Sequence, residues 1–215
     1  MNSTIFFSIC SLFYCVMLMF FMKSRKDEVA ENKLIKLLTL INFFTLICEA
    51  GGVFLGSNYE KVKLLNSIVL RLMLVLYVVW FSVFVIYVND ISKKSKKIEL
   101  KRNLPIIVIM IISSLLVAFL PIIYNTNNGV ITYTTGKAVD FLKMYTMGCE
   151  IVCLFIMFMN IKKIKATNYV SLFALISTTA LSATIQTYDP SILLMASTET
   201  FVLYIMNEKI KNKDK

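Results

Sequence analysis

The sequence predicts an all-α membrane protein, a bundle of seven transmembrane helices with the N-terminus outside and the C-terminus in the cytoplasm. Two observations predict it: the 215-residue chain is 58% hydrophobic with seven separate apolar stretches, and its lysines and arginines are concentrated in every second connection. A bilayer core needs about 20 consecutive apolar residues for each helical crossing. The predicted crossings are residues 5–22, 34–55, 65–88, 104–123, 138–160, 168–187 and 190–207.

The basic residues set the predicted orientation. The connections at 23–33, 89–103, 160–167 and after 207 hold four, six, three and four lysines or arginines, whereas the alternate connections hold two, one and none. Orientation follows lysine and arginine in short loops, and the rich side is cytoplasmic. We therefore expect a multi-pass protein of the cell membrane, with residues 1–207 as one membrane domain and 208–215 as a short basic cytoplasmic tail.

The connection between the fourth and fifth helices is the one segment with an extended pattern. Residues 132–135 read Thr-Tyr-Thr-Thr, which favours a strand, and Asn127-Asn128-Gly129 is typical of a turn. The pattern predicts a small extracellular hairpin within residues 122–136. Such a hairpin either merely joins two helices or forms a lid or one wall of a ligand site.

Composition excludes several functional classes. The formal net charge of +10 comes from residues placed where the positive-inside rule puts them, so we expect contact with the lipid bilayer and no nucleic-acid partner. The chain has no histidine, no C-x-x-C pair and no hydrolase or protease motif, so we expect no catalytic residues, no metal site, no cofactor and no enzyme activity. The last predicted helix lacks a lysine for a retinal Schiff base, which excludes a rhodopsin.

Ionisable side chains at membrane depth are costly and usually face the bundle interior, so they are candidates for a ligand cavity or a polar network. Glu49 and Arg71 lie about 9 Å below the outer surface on adjacent antiparallel helices, where they can form an ion pair. Glu150 and Glu199 lie near the middle of helices five and seven without a basic residue of similar depth. The candidate residues are Glu49, Arg71, Asp140, Glu150, Gln186 and Glu199.

Two interpretations of these residues stay open. In the first they are structural, because Asn42, Thr198 and Gln186 can supply neutral interhelical hydrogen bonds, each worth about 0.6–2 kcal/mol. In the second they line a ligand or cation pocket open to the outside, and a carboxylate-lined pocket favours a cationic or peptide-like ligand. Lys143 is expected to pair with Asp140 at a spacing of three residues.

Three segments resemble a known family. They are WFSVFVIYVNDI at 80–91, LPIIYNTNNGVITYTTGKAVDFL at 120–142 and YDPSILLMASTETFVLYIM at 188–206. Within them, Leu120-Pro121, Gly136-Lys137-Ala138-Val139-Asp140, Pro190-Ser191-Ile192-Leu193-Leu194 and Glu199-Thr200 are similar to motifs of the seven-span N-terminal sensory region of Firmicute sensor histidine kinases.

The resemblance implies a membrane-embedded sensory module of a two-component signalling system. Such a module would bind an extracellular or lipid-borne ligand in the outer half of the bundle, signal through helix seven, and work as a homodimer or with a kinase partner. This sequence contains no histidine to phosphorylate and no kinase domain, so kinase chemistry is not carried over to it. The alternatives are a small seven-span transporter and a stand-alone membrane protein that acts through a partner.

Overall fold

The computed structural model describes residues 3–23, 30–92, 100–127, 129–160, 166–188 and 193–211. These residues form seven helices and one hairpin: α1 (Ser3–Lys23), α2 (Ala30–Gly56), α3 (Tyr59–Ser92), α4 (Leu100–Phe119), β1 (Ile123–Asn127), β2 (Val130–Thr135), α5 (Lys137–Met159), α6 (Ala166–Tyr188) and α7 (Met195–Lys211). Each predicted apolar stretch corresponds to one of the helices. The helical class and the hairpin between the fourth and fifth helices are therefore confirmed.

Five of the helices, α1 to α5, are long and apolar enough to cross a membrane. In α6 the described apolar stretch is shorter, Phe173–Ser182. The outward faces of the long helices carry large apolar side chains, and Phe54, Phe119, Met144 and Phe158 are each at least 70% exposed. Crossings of the bilayer by the sixth and seventh helices stay predictions.

The helix α3 is the centre of the fold. It packs against α2, α4 and α5, and every side chain from Trp80 to Asp90 is buried. A helix that is buried on all sides has neighbours around its whole circumference, whereas a surface helix buries one stripe. The aromatic rings of Trp80 and Phe84 stack within this segment, with centroids 5.5 Å apart. The helices α2, α4 and α5 therefore surround α3. The helix α7 packs against α1, α2 and α6, so α2 contacts both α3 and α7.

A polar junction joins the end of α3 to the start of α4. The buried carboxylate of Asp90 forms an ion pair with Arg102 and accepts a hydrogen bond from the amide of Asn103 at 3.2 Å. The amide of Asn89 donates to the side-chain oxygen of Asn103 at 2.8 Å. These contacts hold residues before Pro105 in helical conformation, so α4 begins at Leu100, four residues earlier than its predicted start.

The hairpin lies against the bundle at the end where α2 meets α3. Its strands are antiparallel, pairing Ile123 with Thr135, and the ring of Tyr124 packs against that of Tyr59 with centroids 5.3 Å apart. The residue that follows β2 is Gly136, with φ +111°, and a Cβ there would lie 2.8 Å from the carbonyl oxygen of Pro121. Only glycine fits this backbone without strain. It lets the chain turn directly from the hairpin into α5.

The limits of α7 differ from the predicted crossing at 190–207. The helix begins at Met195 and continues to Lys211, so residues 208–211 of the predicted tail are helical. Pro190, the first residue of the predicted crossing, lies outside the described residues, as does the preceding Asp189. The consequence for the site is that the first turn of α7 lies inside the bundle, where the side chain of Ala196 is fully buried.

Candidate functional site

The carboxyl group of Glu49 lies at the point where four helices meet. It is fully buried on α2. The hydroxyl of Ser8 on α1 donates to its Oε1 at 2.6 Å, and the hydroxyl of Tyr77 on α3 donates to its Oε2 at 2.9 Å. Both carboxyl oxygens therefore have a neutral donor from a different helix.

The fourth helix at this point is α7, through its first turn. The backbone of Ala196 forms a hydrogen bond with the Glu49 carboxyl group. The backbone N–H of Thr198 donates to the carbonyl of Leu194 at 2.9 Å. Ala196 lies before Thr198 in the first turn of α7, where N–H groups have no acceptor within the helix. Free N–H groups and the helix dipole give a helix N-terminus about half a positive charge. Glu49 therefore caps α7 from a neighbouring helix.

A second fully buried carboxyl group, that of Glu199, lies one turn further along α7 and interacts electrostatically with Glu49. The side-chain amide of Asn42 donates to its Oε2 at 3.0 Å, while the amide oxygen accepts from the hydroxyl of Thr200 at 2.8 Å. Its Oε1 has no hydrogen-bond partner among the described residues. We call Ser8, Asn42, Glu49, Tyr77, Glu199 and Thr200 the carboxyl cluster.

A cavity of about 150 Å³ adjoins the carboxyl cluster, with Glu49 and Tyr77 at its buried end. Its other end is at the surface, because Tyr133 and Lys143 in its lining are exposed. Residues 131–134 of β2 form one wall, so the hairpin does line a cavity. The remaining lining comes from α2, α3, α5 and the start of α7: Gly52, Val53, Gly56, Leu70, Met73, Leu74, Val139, Leu142, Leu193 and Met195. We call it the hairpin cavity.

The predicted ion pair between Glu49 and Arg71 is not formed, and that expectation is wrong. The guanidinium of Arg71 instead donates to the carbonyl oxygens of Ala118 and Leu120, at 2.5 and 3.0 Å. The reason is that α4 ends at Phe119, two residues before Pro121, and the last carbonyls of a helix have no partners within it. Arg71 therefore stabilises the end of α4 and the entry to the hairpin.

The other predicted site residues do not join the carboxyl cluster. The carboxyl group of Glu150 accepts a hydrogen bond from Thr179 of α6 at 2.6 Å, which is the polar contact that its depth requires. Asp140 lies in the first turn of α5 and does not line the hairpin cavity, and in the described residues it forms no ion pair with Lys143. Gln186 lies in α6, but its side chain is outside the described part of the structure.

Sequence reasoning missed three members of the carboxyl cluster: Ser8, Tyr77 and Thr200. A signal for part of it was present, because Asn42 and Glu49 are seven residues apart on α2 and therefore share a helix face. Asn42 does supply the neutral hydrogen bond expected of it. The hydroxyl of Thr198 does not, because it bonds to the carbonyl of Met195 in its own helix at 2.7 Å.

The chemistry that this arrangement offers is hydrogen bonding and electrostatic attraction at the end of an apolar cavity. Within the residues that the structure describes, no group of three histidine, cysteine, aspartate or glutamate side chains is placed to hold a metal ion. The carboxyl group of Glu49 is an acceptor at the buried end of the hairpin cavity. An apolar cavity with a few polar groups at one end is a feature that small-molecule binding sites share.

Comparisons with protein-family models, curated proteins and solved structures gave no match for this chain. The similarity of three segments to sensor histidine kinase input regions therefore stays a prediction from the sequence. The fold and the site together define a helical protein with a polar cluster at its centre and a cavity that leads to it. The functional class is inferred from these features.

Proposed function

We propose that the chain is a seven-span receptor of the cell membrane, with its N-terminus outside and its C-terminus in the cytoplasm. The five long apolar helices and their exposed apolar faces support the membrane location, since large apolar faces are costly in water and favourable in lipid. The alternation of basic connections supports the orientation. In this orientation the hairpin is extracellular and the hairpin cavity opens to the outer side.

One observation carries the receptor proposal: Glu49 belongs both to the lining of the hairpin cavity and to the cap of α7. A molecule that contacts Glu49 therefore competes with, or adds to, the contacts that hold the first turn of α7. A ligand shifts a conformational equilibrium by its differential affinity for the two states. The helix α7 then carries the change towards its other end at Lys211, on the proposed cytoplasmic side.

The output partner in this proposal follows from the sequence resemblance. A sensory module of a two-component system passes its signal to a histidine kinase, so we infer a homodimer or a complex with a kinase as the working assembly. A stand-alone receptor with another membrane partner would use the same path through α7. The ligand is extracellular or reaches the cavity from the lipid.

The experiment that tests the receptor proposal fills the hairpin cavity without assuming a ligand. Val139 lines the cavity, and the neighbouring Asp140 does not. In the purified protein, Val139→Cys is treated with benzyl methanethiosulfonate, and hydrogen exchange of residues 195–211 is followed by mass spectrometry. Asp140→Cys and the unsubstituted protein with the same reagent are the controls.

We expect the adduct at position 139 to change exchange along α7 and the control adducts to leave it unchanged. Equal exchange in all three samples would show that the cavity and α7 are not coupled, and the receptor proposal would then be wrong. The readout is independent of ligand identity, because the reagent is attached covalently.

Transport is the second candidate function, and one observation favours it. Helices that begin inside a bundle, beside ionisable groups, form the substrate sites of many transporters. The start of α7 beside Glu49 and Glu199 has this arrangement. Uptake of radiolabelled amines, amino acids and sugars into proteoliposomes, above that of protein-free vesicles, would support transport. Absence of uptake, together with a response of α7 to the adduct, supports the receptor.

A further inference from the structure

We propose that the hairpin cavity binds a small apolar molecule carrying a single ammonium group, with the ammonium at Glu49 and the apolar part towards the hairpin. This inference rests on the proposed receptor function and names its ligand class. It follows from three properties of the cavity, which are the charge at its buried end, the character of its walls and the charge at its mouth.

One acidic side chain, Glu49, lines the buried end of the cavity, and a second, Glu199, interacts with it from outside the lining. Glu49 and Glu199 are both fully buried and interact with each other, and in the described residues neither is paired with a lysine or arginine. The start of α7 offsets about half a charge on Glu49. Glu199 still has a carboxyl oxygen without a partner in the part of the chain that the structure describes. Glu199 does not line the cavity, so a ligand cation would contact Glu49 alone, where it would stabilise the ionised form of a buried carboxyl group that has no cationic side chain beside it in the described residues.

The walls between the two ends of the cavity are apolar. The side chains of Leu70, Met73, Leu74 and Leu142 line this part, and all four are buried. The cavity of about 150 Å³ is large enough for several water molecules, since one needs at least about 10–15 Å³. An inorganic cation would leave this apolar surface uncovered. An organic cation with one ring or a short alkyl chain covers it.

The mouth of the cavity carries the opposite charge to its buried end. Lys143 lines it and is exposed, beside the polar residues Thr132 and Thr134 of the hairpin. A second cationic group on the ligand would lie near Lys143 and be repelled by it. The outer end of the ligand is therefore neutral or anionic, and a monoamine is preferred to a diamine.

The test uses benzylammonium as the probe, with benzyl alcohol and benzoate as matched molecules that differ in charge. Binding to the purified protein in nanodiscs is followed by the fluorescence of Trp80, which is the only tryptophan of the chain and lies one helical turn after Tyr77. The variants are Glu49→Gln, which removes the acid at the buried end, and Asp140→Asn, which removes an acid outside the cavity. The diamine 1,4-bis(aminomethyl)benzene tests whether a second cationic group is disfavoured at the mouth of the cavity.

We expect benzylammonium to bind the unsubstituted protein and Asp140→Asn equally, and Glu49→Gln about 10- to 100-fold more weakly, since a hydrogen bond between charged groups is worth that factor. The diamine should bind more weakly than the monoamine, and Lys143→Met should reduce that difference. If Glu49→Gln does not accumulate, the unsubstituted protein can still be tested. Its preference for benzylammonium over benzyl alcohol measures whether the positive charge of the ligand is recognised.

Two results would overturn the ligand class. Benzyl alcohol or benzoate binding as tightly as benzylammonium would show that charge at Glu49 does not select the ligand, and no binding of any probe would show that the cavity does not accept such molecules. Neither result bears on the receptor proposal, which the covalent adduct at Val139 tests separately. A failure of the adduct to affect α7, with benzylammonium still bound, would leave a binding site without the receptor function.

Discussion

The hydroxyl of Tyr77 on α3 donates to the carboxyl group of Glu49 on α2 at 2.9 Å, and both side chains are buried. Glu49 also bonds to Ser8 of α1 and to the backbone of Ala196 at the start of α7. A single carboxyl group thus links four helices, including the central helix of the fold. A displacement of Glu49 must change at least one of these contacts, and this is the basis of the proposed coupling between the hairpin cavity and α7.

The contact between Tyr77 and Glu49 predicts a loss of stability for Tyr77→Phe. The variant keeps the ring and removes the donor, so one buried carboxyl oxygen loses its partner at a cost of about 1–2 kcal/mol. Unfolding of the purified protein in detergent, followed by circular dichroism, measures the difference. Tyr188→Phe is the matched control because Tyr188 is 88% exposed. Equal stability of the two variants would contradict a contribution from this hydrogen bond.

Substitution by alanine of two glycines, one just before α5 and one inside it, should change the free energy of unfolding in opposite directions. Gly136→Ala places a Cβ 2.8 Å from a backbone oxygen at φ +111°, which we expect to cost about 1–3 kcal/mol. Gly148 lies inside α5, and a Cβ added there would meet no atom of another element within 4 Å, so Gly148→Ala should stabilise the helix by about 0.5–1 kcal/mol. Thermal unfolding of both variants checks the signs. A neutral Gly136→Ala would show that the turn into α5 relaxes without strain.

Helix positions could be predicted because a bilayer imposes a minimum length of apolar sequence, and that length is readable. The partners of buried charges could not be predicted. The sequence indicates how deep a residue lies in the membrane, but it does not indicate which way its helix is rotated. Arg71 is the clearest case. It lies at the predicted depth of Glu49, yet its side chain bonds to the carbonyls of Ala118 and Leu120. Those carbonyls have no sequence signal beyond the nearby Pro121.

The start of α7 illustrates a second limit. The predicted crossing starts at Pro190, and proline is common at the first position of a helix, but the contact on which the proposed function of α7 depends joins residues 49 and 196. Such a contact depends on packing between distant parts of the chain. The spacing of Asn42 and Glu49 indicated that both face one side of α2, but only the three-dimensional arrangement shows that α7 lies on that side.

The junction of α3 and α4 predicts non-additive effects of substitution. In Arg102→Met the buried carboxylate of Asp90 loses its charged partner, and since Arg102 is 19% exposed we expect a cost of about 2 kcal/mol, below that of a fully buried pair. Asp90→Asn combined with Arg102→Met should recover part of that loss. Lys101→Met, a neighbour on the same helix, is the control. Additive losses in the double variant, measured by unfolding in detergent, would show that the pair has no coupling energy.

The proposed orientation predicts different accessibility at the two ends of the bundle. In intact cells, a membrane-impermeant maleimide should label Thr132→Cys in the hairpin, whereas Lys101→Cys at the start of α4 should react only after the cells are permeabilised. Both positions are exposed, so burial does not explain a difference. The unsubstituted protein measures labelling of the native cysteines. The reverse pattern would invert the topology and place the hairpin cavity on the cytoplasmic side.

The two carboxyl groups of the cluster should differ in their contribution to stability. Glu49 accepts bonds from Ser8, Tyr77 and the start of α7, so Glu49→Gln leaves at least one buried donor without an acceptor and should cost about 1–2 kcal/mol. Glu199→Gln keeps an oxygen for Asn42 and removes a carboxyl group that interacts unfavourably with Glu49, so it should be neutral or stabilising. Unfolding in detergent compares them directly. A larger loss for Glu199→Gln would contradict this order and show that Glu199 contributes more than Glu49 to the stability of the cluster.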